Sequence, residues 1–181
     1  MRPRPLPALI LALATVWIGC GVVRAWEPDP ESKAELRAAA AVERFRKQPR
    51  TEHYFDNAHG YAVLHSVGRL GLGFGGAYGR GFVVEQDRLI GKTGFWQFTS
   101  GIQAGAKYFS MIIFFKDKEA LEYFKLRKLE LMGTAGFSLA TVGASKDPAY
   151  NQGVAIFTRT KFGLMGEATV AGAKFTYKPL E

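Results

Sequence analysis

The chain has 181 residues, of which 48% are hydrophobic and 22% charged, so it carries enough apolar material for one core. Its 21 glycines and 13% aromatic residues favour β-structure with close backbone approaches and argue against a helical bundle. The formal net charge of +8 suits an anionic partner such as phospholipid head groups or nucleic acid, although a solvated basic surface without a partner gives the same balance.

Residues 1–25 are predicted to be a secretory signal peptide. Arg2 and Arg4 form a positive start, and Leu9 to Ile18 form an uncharged apolar core. This apolar stretch is shorter than the roughly 20 residues that a membrane span needs, so we expect cleavage rather than retention as an anchor. Removal of residues 1–25 leaves 21 basic against 16 acidic residues, a net charge of +5.

Two processing sites remain open. Val23-Arg24-Ala25 fits a standard signal peptidase, which would release a chain that begins at Trp26. Ile18-Gly19-Cys20 instead looks like the end of a lipobox, and Cys20 is then the candidate for lipidation. The protein is accordingly expected to be exported, as a periplasmic or outer-membrane-anchored lipoprotein or as a secreted protein. Cys20 is the sole cysteine of the sequence, so the folded part can form no disulfide and offers no thiolate.

The first predicted helix follows a short linker over residues 26–33. Ser32 is a plausible N-cap with Glu35 completing a capping box, and the helix is expected to run to about Lys47. One face carries the apolar residues Ala38, Ala41, Val42 and Phe45 at helical spacing. The basic residues near its end are Arg44, Arg46, Lys47 and Arg50. They form either a solvated face of a packed helix or a surface that meets anionic lipid.

From Tyr61 the hydrophobic pattern changes to period two. The stretch from Gly68 to Gly81 contains seven glycines in fourteen residues, and each interior glycine costs a helix about 1 kcal/mol relative to alanine. We therefore predict strands in which the glycines permit tight turns, bulges or close backbone packing. A hairpin turn is expected over residues 86–88. Separate strands are predicted at 61–64, 82–84, 95–98, 102–106 and 108–115, with the apolar run 111–115 central and buried on both faces.

The second half continues the sheet after one more helix. Asp117 is predicted to cap a helix from Lys118 to about Lys125. Residues 129–144 fit a strand or a helix, and their glycines favour a strand; residues 146–148 are a predicted loop. Closing strands are expected at 154–158, 164–170 and 174–177, with a turn at Ala171-Gly172. The fold class is therefore α+β: a large, mostly antiparallel sheet that can curl toward a barrel, with an N-terminal helix and one or two further helices.

Several motifs occur in an order typical of one family. They are Ala58-His59-Gly60-Tyr61-Ala62-Val63, Gly75-Gly76-Ala77-Tyr78-Gly79-Arg80-Gly81, Ile112-Ile113-Phe114-Phe115, Gly143-Ala144-Ser145, Gly153-Val154-Ala155-Ile156-Phe157-Thr158, Gly163-Leu164-Met165 and Lys174-Phe175-Thr176-Tyr177-Lys178-Pro179. In this set the chain resembles the SYLF domain from about Ala38 to Pro179, and the domain is predicted to cover residues 34–181. It departs from the usual bacterial pattern at His65, Leu70, Phe162 and Gly166.

The resemblance implies a lipid-binding module. Eukaryotic SYLF proteins associate with phosphoinositide membranes and, with added domains, with actin patches, whereas bacterial members are short and carry export leaders or lipoboxes. This chain shows no SH3 or other appended domain in its sequence, so no actin partner is expected. The expected site is therefore a membrane surface at the bacterial envelope.

The sequence offers little for catalysis. Residues 71–76 formally satisfy a GxGxxG spacing, but a nucleotide fingerprint needs a helix after the glycines, and a further strand is predicted there. His53, His59 and His65 are six residues apart, which suits no common metal motif. Ser138 lies in a near match to a nucleophile elbow, but every histidine precedes it. We therefore expect a non-enzyme without cofactor or metal.

Two hypotheses follow from the sequence. The first is a lipid-binding protein whose basic residues meet an anionic phospholipid membrane; the candidates are Arg44, Arg46, Lys47 and Arg50, with Arg69 and Arg80 on a predicted glycine hairpin as second choice. The alternative is an envelope structural or protein-interaction lipoprotein, such as an assembly factor or antigen, whose strands pair with a partner. Nucleic acid is not expected, because the basic residues lack an interleaved aromatic platform.

Overall fold

The computed structural model describes residues 26–126, 130–132, 140–141, 150 and 153–180. Within these residues the chain forms three helices and one five-stranded sheet, which confirms the predicted α+β class. The elements in chain order are α1 (Lys33–Arg46), α2 (Pro49–Asn57), β1 (Gly60–Glu85), β2 (Arg88–Phe115), α3 (Lys118–Lys125), β3 (Glu130–Met132), β4 (Ala140–Thr141) and β5 (Val154–Pro179). The predicted leader, Cys20, Ser138 and the loop at 146–148 lie outside the described residues.

Helix α1 begins where its cap residue predicts. The Ser32 hydroxyl accepts a hydrogen bond from the Glu35 backbone N–H at 3.3 Å, which satisfies one of the free donors of the first turn. In a complete capping box the Glu35 carboxylate would accept from the Ser32 backbone N–H. Here it accepts from the Asp29 N–H at 3.0 Å, so only the Ser32 half of the predicted capping box forms. Trp26, at the start of the predicted linker, is buried with its ring centroid 5.8 Å from that of Phe82.

Helix α2 is not among the predicted elements, since the first helix is expected to end at about Lys47 and no helix is predicted between it and Tyr61. Proline at the first helical position instead suits a new helix, since its missing N–H has no partner there in any case. The buried Thr51 hydroxyl donates to the carbonyl groups of Phe45 and Gln48, and this fixes the angle at which α2 leaves α1. Tyr54 then packs against Phe114 and Phe157 of the sheet, with ring centroids 5.3 and 5.0 Å away.

The sheet is built mainly from three very long strands. The strand order is β1-β2-β5-β3, and each neighbouring pair in this order is antiparallel. Strand β4 pairs parallel to β5. The separate strands predicted along 61–84, 95–115 and 154–177 are therefore wrong in their boundaries, because each set is one continuous strand. The predicted turn at Ala171-Gly172 is also wrong, since these residues pair with Thr99 and Phe98 of β2.

The hairpin between β1 and β2 matches its prediction closely. Gln86 and Asp87 form the turn and both have positive φ, 45° and 61°, as a two-residue turn of the mirror-image type requires. The predicted central strand is also confirmed, since residues 111–115 of β2 lie between β1 and β5 and are fully buried.

The three long strands β1, β2 and β5 bend so that the sheet folds over on itself, and we call this bend the fold-over. At the bend Gly73 has a φ of +74°, and the β1–β2 register shifts between Leu72 and Phe74, with extra β2 residues opposite them. The two halves of β1 consequently lie close together: the Gln86 N–H donates to the His59 carbonyl at 3.3 Å, and Gly79 lies against Ser66 and Val67.

The main core fills the inner face between the two halves of the bent sheet. It combines residues of the first half such as Leu64 and Ile113 with residues of the second half such as Phe95 and Phe175, and α3 adds Phe124. A second core lies on the outer face, where α1, α2 and Trp26 cover Val63, Phe82, Val84, Ile112 and Phe114. The sheet therefore has an inner face that is closed by its own folding and an outer face that is partly covered by helices.

Candidate functional site

The outer face of the sheet is covered near the strand ends and exposed near the fold-over. Val63, Phe82 and Ile112 are buried beneath the helices. Closer to the fold-over, large apolar side chains lie on the same face and are 38% to 85% exposed. We call this set the apolar strip: Leu70, Leu72, Phe74 and Tyr78 on β1, Trp96, Phe98 and Tyr108 on β2, and Phe162 on β5.

Strand alternation places these side chains outward. Val67, Ala77 and Phe95 point into the inner core and are buried, so the residues adjacent to them point to the opposite face. At the fold-over itself, Leu72 is 85% exposed. Monomeric soluble proteins rarely expose a run of large apolar side chains of this size, and such patches mark surfaces that meet a protein, a ligand or a membrane.

Aromatic rings of the strip pack on one another. The rings of Tyr108 and Phe162 are stacked with centroids 4.7 Å apart, and those of Phe74 and Phe98 are stacked at 6.5 Å. Tyr78 lies directly opposite Trp96 in the β1–β2 register. Because these contacts lie along the strands, the strip is a continuous surface rather than a scatter of single exposed residues.

The strip ends in cationic side chains on the β1–β2 side. Arg80 lies two residues beyond Tyr78 on the same face; its Nε donates to the Tyr78 hydroxyl at 2.5 Å and its guanidinium carbon is 5.6 Å from the Tyr78 ring centroid. Lys92 follows on β2, where it pairs with Phe82. From the fold-over outward, the side chains therefore change from aliphatic and phenyl groups, through Tyr78 and Trp96, to cations.

A second group of cations flanks the strip beyond Phe162. We call four cations the basic cluster: Arg37 and Arg44 of α1, and Arg159 and Lys161 of β5. The three arginines lie close enough to Lys161 to influence its pKa. Burial lowers the pKa of Lys161 below its ordinary value, and repulsion from the three arginines lowers it further. Burial and the charges of Lys161 and Arg37 also lower the pKa of the neighbouring His65. The cluster is therefore a concentrated positive surface beside the strip.

The structure places the predicted basic residues in different surroundings. Arg44 and Lys47 are exposed on α1, and Arg50 is half-buried in α2. The Arg46 guanidinium stacks over the Phe55 ring at 4.5 Å and so takes part in the packing of α1 on α2. Arg69 lies on the inner face and is only 7% exposed, whereas Arg80 is exposed at the end of the strip.

Sequence reasoning missed most of this surface. Of the basic cluster it selected Arg44 alone, because Arg37, Arg159 and Lys161 become neighbours only when α1 docks on the sheet. It also missed the apolar strip, since the alternating pattern of β1 and β2 is apolar on both faces and does not show which face stays uncovered. Aromatic residues that face one another across β1 and β2 would have indicated the strip, but which residues face one another is known only once the strand register is known.

The residues considered for catalysis are apart in the structure. The His53 ring packs at a tilt on Tyr54 with centroids 4.0 Å apart, His59 Nε2 lies 2.8 Å from Glu85 Oε1, and His65 lies near α1. Residues 71–76 are internal to β1, with no helix at the glycines. Across the part of the chain that the structure describes, no group of three or more His, Cys, Asp or Glu side chains is placed to hold a metal ion.

Two further observations bear on membranes and relatives. None of the helices in the described ranges is long and apolar enough to cross a membrane. No family model matches the chain, and no solved structure matches it. The chain is similar to Beta cell expansion factor A of Aeromonas veronii, with 29% identity over 157 residues that cover 81% of this chain and 59% of that protein. The chain thus spans about three fifths of the length of this curated relative.

Proposed function

We propose that this chain is a non-enzymatic lipid-binding protein that associates with a membrane rich in anionic phospholipid. The observation that carries the proposal is the apolar strip with cations at both flanks. In this arrangement the strip enters the membrane among the acyl chains, while Arg80 and Lys92 on one side and the basic cluster on the other meet the phosphate layer.

The order of side chains along the strip fits the order of layers in a bilayer leaflet. A strand rises about 3.3 Å per residue, so Tyr78 lies about 13 Å and Arg80 about 20 Å along β1 from Phe74. One leaflet of the hydrocarbon core is about 15 Å thick. With Phe74 among the acyl chains, Tyr78 and Trp96 lie at the interface, where such rings are enriched, and Arg80 lies at the head groups.

The expected energies are sufficient for reversible binding. Removing about 100 Å² of apolar surface from water contributes roughly 2.5 kcal/mol, so three or four side chains of the strip offset the cost of association. Each cation at an anionic surface adds about 1 kcal/mol. Binding should therefore need both the strip and the cations, and only the second contribution should fall with salt.

We further propose that the chain is an exported SYLF-domain protein of a bacterial envelope. The ordered motifs from Ala38 to Pro179 and the α+β fold support the family assignment. The leader pattern supports export, with Cys20 as the candidate lipid anchor.

Sedimentation with lipid vesicles tests the proposal. The wild-type protein should sediment with vesicles that contain phosphatidylglycerol and remain in solution with pure phosphatidylcholine at the same salt. The double variant Leu72→Ser and Phe74→Ser should lose most of this binding. A matched control is Leu126→Ser, because Leu126 is 62% exposed at the end of α3, outside the strip.

The competing explanation is an envelope structural or interaction protein whose partner covers the strip. In that case the wild type would stay in solution with anionic vesicles at low ionic strength. The same result would contradict membrane binding through this surface. Equal sedimentation of the wild type and the strip variant would likewise remove the strip from the proposal.

A further inference from the structure

A groove opens where the first turn of α1 crosses the outer face of the sheet. Its volume is about 510 Å³, and it lies at the end of the apolar strip that carries Tyr78. Tyr78 and Arg80 of β1 line it together with Lys92 of β2, and Glu35 of α1 and His65 and Ser66 from the first half of β1 complete the lining. The groove thus joins the apolar strip to the cations that follow it.

The two cations of the groove can act on one ligand. Arg80 pairs with Gly94 and Lys92 pairs with Phe82, so the two cations are diagonal neighbours on adjacent strands of the same face. Diagonal neighbours are about 7–8 Å apart, a distance that two long side chains bridge through one anion. Gly94 places no side chain of its own beside Arg80; the Thr176 hydroxyl of β5 lies over Gly94 instead, 2.7 Å from where a Cβ atom would be. A phosphate group, which takes bidentate hydrogen bonds from a guanidinium, fits this pair.

The other residues that line the groove supply polar groups and leave the two cations available to the anion. His65 lines the groove, and its Nδ1 atom is buried without a hydrogen-bond partner among the described residues. The Glu35 carboxylate is held by the Asp29 N–H at 3.0 Å in the cap of α1. With Arg80, Lys92 and Glu35 charged, the groove keeps one net positive charge, which matches a monoanionic phosphate diester.

We propose that the groove binds the phosphate ester of a single phospholipid, with Arg80 and Lys92 on the phosphate and the acyl chains running past Tyr78 onto the apolar strip. This inference rests on the proposed membrane association and adds to it a site that holds one lipid molecule per protein. The membrane contact of the strip alone requires no such site, so the two can fail separately.

Calorimetric titration of the full chain tests the groove. The probes are dihexanoyl-phosphatidylglycerol below its micelle concentration, glycerol 3-phosphate and inorganic phosphate. We expect saturable one-to-one binding of the short-chain lipid, weaker binding of glycerol 3-phosphate and still weaker binding of inorganic phosphate. Arg80→Ala with Lys92→Ala should weaken lipid binding about tenfold or more, because two charge-assisted contacts are lost. Lys118→Ala removes an exposed lysine on α3, outside the groove, and should change the affinity less than twofold.

The outcomes separate the groove from the strip. The variant Leu72→Ser and Phe74→Ser should lose vesicle sedimentation yet still bind glycerol 3-phosphate as the wild type does, because its groove is intact. Unchanged lipid binding by the Arg80 and Lys92 variant, with its thermal unfolding midpoint retained, would overturn the groove site. If inorganic phosphate binds as tightly as the short-chain lipid, the groove recognises phosphate without the lipid, and the proposal of a phospholipid site is overturned.

Discussion

Gly81 and Val63 lie on the two halves of the same strand, and their backbones touch across the fold-over: a Cβ atom at position 81 would lie 2.0 Å from the Val63 carbonyl oxygen. Such a contact excludes any side chain. Gly81→Ala should therefore push the halves of β1 apart and destabilise the fold by about 3 kcal/mol or more, measured by urea unfolding.

Gly76→Ala is the control for this substitution. A Cβ at position 76 meets the Gln97 carbonyl oxygen at 3.3 Å, which a small shift relieves, so its effect should stay within about 1 kcal/mol. Similar losses at the two positions would show that the close approach of the two halves does not limit stability.

Stability should fall at acidic pH through Glu85. Burial raises the pKa of this carboxyl, but the hydrogen bond from His59 and the charge of Lys125 outweigh burial, and the net pKa lies below its ordinary value. Since the folded pKa is the lower one, the contribution of Glu85 is present above the unfolded pKa of about 4.3 and is lost as the pH falls through the folded value.

The measurement is the unfolding free energy between pH 7 and pH 3. The advantage of the wild type over Glu85→Gln should be largest at neutral pH and should shrink below about pH 4. Glu52→Gln, at an exposed position on α2, should follow the wild-type curve. A gap between wild type and Glu85→Gln that does not change with pH would contradict the role of the carboxylate charge.

The buried hydroxyl of Thr51 should stabilise the junction of α1 and α2. Thr51→Val keeps the shape of the side chain but removes its hydrogen bonds to the Phe45 and Gln48 carbonyls, so a loss of about 1 kcal/mol is expected in urea unfolding. Thr160→Val, exposed on β5, should change stability by less than about 0.5 kcal/mol. Equal effects would show that the helix junction does not depend on this hydroxyl.

Charge reversal on α1 tests the basic contribution to membrane binding. Arg44→Glu with Lys47→Glu should weaken sedimentation with phosphatidylglycerol vesicles and reduce its dependence on salt. Arg46 is left in place because its guanidinium packs on Phe55. Glu43→Gln is a useful counterpart, since it should leave binding unchanged or slightly stronger. Sedimentation of the reversed variant at the wild-type level would remove this part of α1 from the membrane contact.

The proposed orientation predicts an order of depths. Nitroxide labels at Phe74→Cys, Tyr78→Cys and Lys178→Cys, each in a Cys20→Ser background, should report decreasing depth in phosphatidylglycerol vesicles by oxygen and nickel accessibility. The expected order follows from the rise along β1 and the position of Lys178 opposite Lys92. A label at position 178 that lies deeper than one at position 74 would reverse the orientation.

Local signals in the sequence identified those elements that depend on local physics. Ser32 and Asp117 cap α1 and α3 where predicted, and both side chains accept the expected backbone N–H. The turn at Gln86-Asp87 and the doubly buried strand around Ile113 were also recognised, because turn chemistry and an unbroken apolar run are local features.

The remaining features depend on contacts distant in sequence. The glycines of β1 indicate tight turns, bulges or close backbone packing, and only the contact of Gly81 with Val63 in the other half of the strand shows that close packing applies at this position. The fold-over then decides which aromatic side chains are covered, so the exposure of Phe74 could not be derived from alternation alone. Lys161 joins Arg44 in the same way, through the docking of a helix on a distant strand.

The burial of Trp26 against Phe82 also fixes where any tether would attach. Phe82 follows Arg80 on the outer face and lines the groove, so Trp26 lies beside the groove. If Cys20 carries acyl chains, the peptide from Cys20 to Trp26 spans at most about 20 Å, and the body could not turn away from the bilayer that holds the anchor. Lipidated, the protein would act only on its own membrane in cis; cleaved after Ala25, the same surface would be free to act in trans on the membrane of another cell.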